Sequence, residues 1–400
     1  MINNPLALLR NPGYLRVWGL GLIGNTMRWL ETLAIGIFVY EITTSALLVA
    51  FMTISRQVPL ALFGSFIGPI AEKVNRKYLL VLGFTVITCS LCVLLLLDYY
   101  SALEIWHIGL CVFVNGTCWS LDYPVRRTLV GEFAGPDKIG GGISLDSATN
   151  NVTRMLGPFL GGFVFGYLGL QGAFLISAIA HFLCIIIASS LVIDFPSVHK
   201  KVEPYFKMLG EGVRLVKGSP RLIGIFLITI ILNIFGFPYA SMVPVLGRSV
   251  YEVEPALVGI LSAAEGAGAF IGALAVAFLI RPRWFGRFYL YGAITFVFGV
   301  FCLSFATHYG VAISILWVSG LGMAGFGAMQ STLVLILAPQ NARSRLMGLL
   351  SVCIGCGPIG LFNLGLLADV FGAQMALTIV SSIGLMALAT VVVVIPDIRR

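Results

Sequence analysis

ALLVAFMTISRQVPLALFGSFIGPIAEKVNRKYLLVLGFTVITCSLCVLLLLD, from Ala46 to Asp98, is two apolar runs joined by a short charged turn. Each run reaches the roughly 20 residues that a helix needs to cross the hydrocarbon of a bilayer. Neither alternates with the two-residue period of a barrel strand. In lipid every backbone N–H and C=O must find its partner inside the segment, so both runs read as helices. The turn between them, Glu72-Lys73-Val-Asn75-Arg76-Lys77, carries three bases in six residues, the mark of a cytoplasmic connection.

Outward from this hairpin the same pattern fills all 400 residues. The runs are Leu15–Glu41, Ala46–Ala71, Tyr78–Asp98, Ile105–Val130, Gly142–Gly166, Gly172–Asp194, Arg221–Gly247, Ala256–Ile280, Phe288–Thr307, Val311–Ala338, Leu346–Val370 and Met375–Ile395. Composition agrees: 58% of residues are hydrophobic and 10% charged, against roughly a quarter charged in soluble domains, and mean hydropathy is +0.99. This excludes a disordered chain, a nucleic-acid binder and a cytosolic enzyme. The net charge of +8 therefore reports orientation rather than a polyanionic partner. With the N-terminus inside, 21 of the 25 Lys and Arg fall in cytoplasmic loops or helix ends, Arg248 falls outside, and Arg28, Arg56 and Arg154 fall within spans. Both termini are thus expected in the cytoplasm, in a multi-pass protein of the plasma (inner) membrane.

The predicted fold is an all-α membrane protein with twelve transmembrane helices in two pseudo-repeated six-helix bundles. Residues 1–194 form the first bundle, 195–220 a basic cytoplasmic linker loop, and 221–400 the second. A repeat supports the division. Pro136-Asp-Lys-Ile-Gly-Gly-Gly142 precedes Gly157-Pro158-Phe-Leu-Gly161-Gly162, and Pro339-Gln-Asn-Ala-Arg-Ser-Arg345 precedes Gly357-Pro358-Ile-Gly360. Repeated halves with a binding site at their interface are a transporter architecture. The eight Cys lie in apolar runs and read as small buried hydrophobes. Cys353-Ile-Gly-Cys356 has no third Cys or His near it in sequence. A Walker A loop, a dinucleotide fingerprint, zinc-ligand spacing and a nucleophile–base constellation are missing from the sequence. No cofactor, metal or enzymatic activity is expected, and transport must draw on an ion or substrate gradient.

Charges within spans are the candidate functional residues, because a charge at mid-bilayer costs about 3 kcal/mol. Arg28 and Glu31 are spaced as a pair on one helix face, and Asp122 and Arg126 likewise. Arg56, Arg154, Asp146 and Glu265 complete the set. Arg28, Arg56 and Arg154 would attract an anionic substrate into a cavity. Glu31, Glu265 and Asp122 are the candidate proton-coupling acids, and competition of proton and substrate at Glu31 would produce antiport. The alternative for Asp122, Arg126 and Asp146 is a structural ion pair between helices. Asn115, Trp119, Asn233, Phe237, Gln330 and Asn363 could line the pocket, and His181 reads as a hydrogen-bonded packing residue.

Gly68-Pro-Ile-Ala-Glu72-Lys73-Val-Asn75-Arg76-Lys77 resembles the loop signature of the major facilitator superfamily, Gly-x-x-x-Asp-Arg-x-Gly-Arg-Arg/Lys. Glu, Lys and Asn replace Asp, Arg and the second Gly. The resemblance implies that Gly68, Glu72, Lys73, Arg76 and Lys77 form a cytoplasmic conformational latch. Gly157, Pro158, Gly161 and Gly162 resemble the span-five motif of facilitator antiporters. Asn11-Pro-Gly-Tyr-Leu-Arg16, Asn150-Asn151-Val-Thr-Arg154, Gly210-Glu-Gly-Val-Arg214 and Arg343-Ser-Arg345-Leu-Met347 are similar to the subgroup of the enterobactin exporter and Tap-like drug pumps. The family implies the facilitator fold and a monomer that exports a small molecule by proton antiport. The best candidate is an anionic siderophore-like compound. Alternatives are a broad-specificity drug efflux pump, a lysophospholipid flippase and, remotely, a non-transporting receptor or scaffold. The sequence departs from the family in span four, where Val114-Asn115-Gly116-Thr117-Cys118-Trp119 holds no Arg.

Overall fold

The computed structural model describes the backbone of residues 5–193, 205–279, 284–339 and 342–399; side chains at 5–6, 61, 64–73, 205–209, 277–279, 344 and 399 lie outside the description. The helices are α1 Pro12–Thr43, α2 Ala46–Lys73, α3 Arg76–Tyr99, α4 Ile105–Ala134, α5 Ile139–Ser189, α6 Tyr205–Lys217, α7 Pro220–Ile231, α8 Val243–Ser249, α9 Pro255–Leu279, α10 Phe285–Leu303, α11 Tyr309–Leu337, α12 Arg343–Ile354, α13 Gly357–Phe371 and α14 Ala373–Val394.

Among the described residues these elements make twelve crossings. Eight stretches are apolar and long enough to span. One of them, α5, has 51 residues and as a straight rod would measure about 75 Å, over twice the hydrocarbon thickness. It bends at Gly169, whose φ of 64° and ψ of −166° suit a residue without Cβ, and so supplies two crossings. Helices α1, α2 and α4, with 32, 28 and 30 residues, complete the set.

Three expectations are corrected. The run Arg221–Gly247 is not one helix: α7 gives way to a π turn at Leu232–Gly236 and a 3-10 segment at Phe237–Met242 before α8. Pro238 and Pro244 cannot donate to the helical ladder, so the hydrogen bonding changes pitch there. The run Leu346–Val370 divides at Gly355 and Cys356, and Pro358 opens α13, where a missing N–H is tolerated. The linker is not all loop, because α6 forms within it and Glu211 pairs with Arg345 of α12 at 3.0 Å. A smaller correction concerns the thiols. Cys89 and Cys92 are exposed on α3, because a lipid-facing helix surface is as apolar as a core and need not be buried.

Contacts group the chain into two compact units, Met1–Phe38 with Ser55–Val202, and Val39–Ile54 with Glu203–Arg400. In the first unit α3 packs on α4 and α5; in the second α11 packs on α9 and α10. The tip of the α1–α2 hairpin, residues 39–54, thus belongs with the second unit. Asp369 of α13 holds it: Ser45 Oγ and the Leu47 N–H donate to its two carboxylate oxygens at 2.8 and 3.0 Å. Arg248 pairs with Glu41 at 2.9 Å. Gly365 allows the approach, since a Cβ there would lie 2.8 Å from Ala50 Cβ and 3.0 Å from Leu47 Cα.

Candidate functional site

In the first unit, three glycines bring the charged residues of α1, α2, α4 and α5 together. A Cβ on Gly116 would lie 2.4 Å from the Arg56 carbonyl oxygen, so the backbones of α2 and α4 touch there. Cβ atoms on Gly157 and Gly161 would lie 2.3 Å from Trp29 Cβ and 2.7 Å from the Leu30 carbonyl oxygen. The Gly157–Gly162 motif therefore seats α5 against α1, with Pro158 and Gly162 buried in the same helix. Arg154, one turn earlier, comes to 5.5 Å from the Trp29 ring.

The expected pair of Arg28 with Glu31 does not form. Glu31 Oε2 instead meets Arg56 Nη2 at 3.4 Å, with side-chain exposures of 2% and 9%. Arg56 Nη1 reaches the Arg28 carbonyl at 3.5 Å. The Arg28 guanidinium turns away to two indoles, 4.9 Å from the Trp29 centroid and 4.3 Å from that of Trp119. A cation over an aromatic face is stabilised where water is scarce, and Arg56 answers the charge of Glu31 better from across the helix interface. The stack continues through Tyr123, 5.6 Å from Trp119, to Arg127, whose Nη1 donates to the Tyr123 hydroxyl at 2.5 Å. Arginines and aromatics alternate along the whole ladder Arg154, Trp29, Arg28, Trp119, Tyr123, Arg127, broken only between Trp119 and Tyr123. Trp29 and Tyr123 were missed in the sequence, although Trp119, Tyr123 and Arg127 carry the four-residue spacing of one helix face.

A second charged group joins α4 to α5. Arg126, 1% exposed, contacts Asp146 at 2.5 Å and Asp122 at 3.5 Å. A Cβ on Gly21 of α1 would strike its guanidinium, so α1 closes over it. Two carboxylates on one guanidinium make this a structural tie between helices. Asp122 keeps one buried oxygen, Oδ1, without a partner among the described residues. Asn115 is tied elsewhere, accepting from Ser90 Oγ at 2.9 Å. A His181 ring nitrogen lies 2.8 Å from the Ser177 carbonyl, as expected of a packing residue.

In the second unit, Asn233 and Gln330 converge on Thr229. Asn233 Nδ2 donates to its carbonyl at 2.8 Å and Gln330 Nε2 to its hydroxyl at 3.0 Å. Tyr289, which the sequence did not single out, is 3.0 Å from the same hydroxyl and donates to the Ile225 carbonyl. Phe237 packs beside this network against Phe296 and Phe326, at 5.2 and 5.8 Å. Asn363 is on the exposed face of α13 with Ile359, Phe362 and Leu366. Glu265 is 5% exposed, at a close meeting of α9 and α11: a Cβ on Gly320 would lie 2.1 Å from its carbonyl oxygen.

Of the expected latch, the side chains of Gly68, Glu72 and Lys73 lie outside the described residues. Asn75 caps α3 by accepting from the Lys77 N–H, and Arg76 pairs with Glu132 of α4.

The chain matches the family described as transmembrane secretion effector over residues 3–399. It is 23% identical over 386 residues to the staphyloferrin A transporter of Staphylococcus aureus, covering 92% of this chain and 90% of the relative. It is 17% identical over 351 residues to macrolide efflux protein A of Streptococcus pyogenes, covering 86% of each. Among solved structures, a POT family transporter in complex with a thioalcohol-conjugated peptide superposes with a TM-score of 0.76 at 11% identity, over 97% of both chains. At that identity the likeness speaks for the fold, which is that of the major facilitators. Twelve crossings, this fold and a family match over nearly every residue lead to one conclusion: the chain is a membrane transporter, not an enzyme, and belongs to the transmembrane secretion effector family of the major facilitator superfamily.

Proposed function

We propose that the chain exports an organic anion of the siderophore kind from the cytoplasm. Arg28, Arg154 and the Glu31–Arg56 pair would bind it. The observation that carries this reading is the buried Glu31–Arg56 pair beside two further guanidinium groups. Arg28, whose guanidinium lies against two indoles rather than a carboxylate, is the group whose charge an organic anion would neutralise. The similarity to a staphyloferrin A transporter supports the same substrate class. The basic residues of the short loops support cytoplasmic termini and a plasma-membrane location. An anion leaving the cell also moves with an inside-negative potential, about 2.3 kcal/mol per charge for each 100 mV.

Arg56 sets the sign of proton coupling. A substrate carboxylate that takes Arg56 leaves Glu31 buried without a counter-charge, and a carboxylate in that position accepts a proton. Anion and proton are then held together. Antiport by competition at Glu31 needs the opposite case, a cationic substrate that displaces the proton. That second reading, drug efflux, is favoured by the similarity to a macrolide efflux protein and by the buried unpartnered acceptors Glu31 Oε1 and Asp122 Oδ1.

Calorimetric titration of the purified protein in buffers of different ionisation enthalpy separates the two. Staphyloferrin A is expected to bind with uptake of about one proton, and Glu31→Gln to abolish the uptake while retaining binding. Proton release on binding a cationic macrolide, with no binding of staphyloferrin A, would replace anion export by drug efflux.

A further inference from the structure

Two buried N–H donors are left over around one guanidinium in the first unit. Trp29 Nε1 and Trp119 Nε1 are both shielded from solvent and have no partner among the described residues. Buried donors are nearly always matched, and an unmatched one calls for an absent acceptor. Both indoles contact the same group, Arg28, through their rings. Arg154 also approaches the Trp29 ring.

This arrangement limits what a substrate can touch. One face of each ring is taken by the Arg28 guanidinium. The edges remain. A guanidinium lying over a ring keeps its in-plane N–H groups free, in the fork that matches a carboxylate. The indole N–H groups also lie in their ring planes. Arg56 is paired with Glu31, which leaves Arg28 as the guanidinium that a substrate meets first. The cluster is therefore rich in edge donors.

We propose, resting on the anion-export reading and deepening it, that Trp29 and Trp119 are specificity-determining residues that donate their indole N–H groups to substrate carboxylates, so that the site selects a polycarboxylate. A neutral drug, which would bring no charge, is disfavoured.

The test uses the full chain in nanodiscs, with citrate as the polycarboxylate probe and trimethyl citrate as its uncharged counterpart. Trp29→Phe and Trp119→Phe keep a ring for Arg28 and remove only the donor. Each is expected to weaken citrate binding about tenfold, in line with a hydrogen bond to a charged acceptor. Neither should create any preference for the ester. Independently of any variant's folding, two of the six Trp indole N–H resonances of the parental protein should move downfield as citrate is added. The Phe variants assign those two signals.

Unchanged citrate affinity in both Phe variants, unmoved indole resonances, or no citrate binding by the parental protein would overturn the proposal. Arg28→Gln separates its failure from that of the export reading. If Arg28→Gln abolishes citrate binding while the Phe variants bind normally, only the indole assignment falls. If Arg28→Gln binds citrate as the parental protein does, anion export through this cluster falls with it.

Discussion

Single residues decide whether charged groups within the bilayer meet. Gly116 does so by having no side chain: it lets the α2 backbone at Arg56 lie against α4, and from there Arg56 reaches Glu31. Gly116→Ala places a methyl 2.4 Å from the Arg56 carbonyl oxygen, a backbone atom that cannot swing away. It is expected to destabilise the protein by about 1–3 kcal/mol, as overpacking does, and to uncouple substrate binding from proton uptake. Thermal unfolding in detergent and buffer-dependent calorimetry measure the two effects. That Arg28, Glu31, Arg56 and Arg154 need partners within the membrane was legible in the sequence, because a charge in a span is costly alone. Their partners were not. The three-residue spacing of Arg28 and Glu31 only permits a pair, and the choice went to Arg56 and Trp119, which neighbouring helices supply, and to Trp29, the residue next to Arg28.

At the scale of elements, the N-terminal end of α2 is controlled from outside the helix. Its first N–H groups have no partner within α2. Asp369 of α13 accepts from Leu47 N–H and fixes Ser45, whose Oγ accepts in turn from the Leu48 N–H at 3.2 Å. Asp369→Ala is expected to cost about 1 kcal/mol, the usual range for losing a cap. Faster hydrogen exchange at Leu47 and Leu48, with exchange in α3 unchanged, is the result that would report it. An unaltered rate would mean that solvent replaces the carboxylate at no loss. Apolar length predicted most helices, but not the irregular turns between α7 and α8 or the helix within the linker. Pro238 and Pro244 permit either a kink or a break, and neighbouring side chains choose between them.

At the scale of the molecule, the distribution of Lys and Arg predicts cytoplasmic termini. A reporter fused after Arg400 that is active only in the cytoplasm is expected to be functional, and one inserted at Glu252, between α8 and α9, is expected to be silent. The reverse pattern would invert the topology and make the proposed export an uptake. The sequence by itself determined the all-helical membrane class, the number of crossings and which charged residues need partners within the membrane, since hydropathy and charge in lipid are local properties of the chain. Only the tertiary structure decided that Glu31 belongs to Arg56, that Arg28 lies between two tryptophans, and that residues 39–54 pack with the second unit. Those outcomes depend on how closely one backbone can pass another, which is set where a glycine of one helix faces the backbone of another.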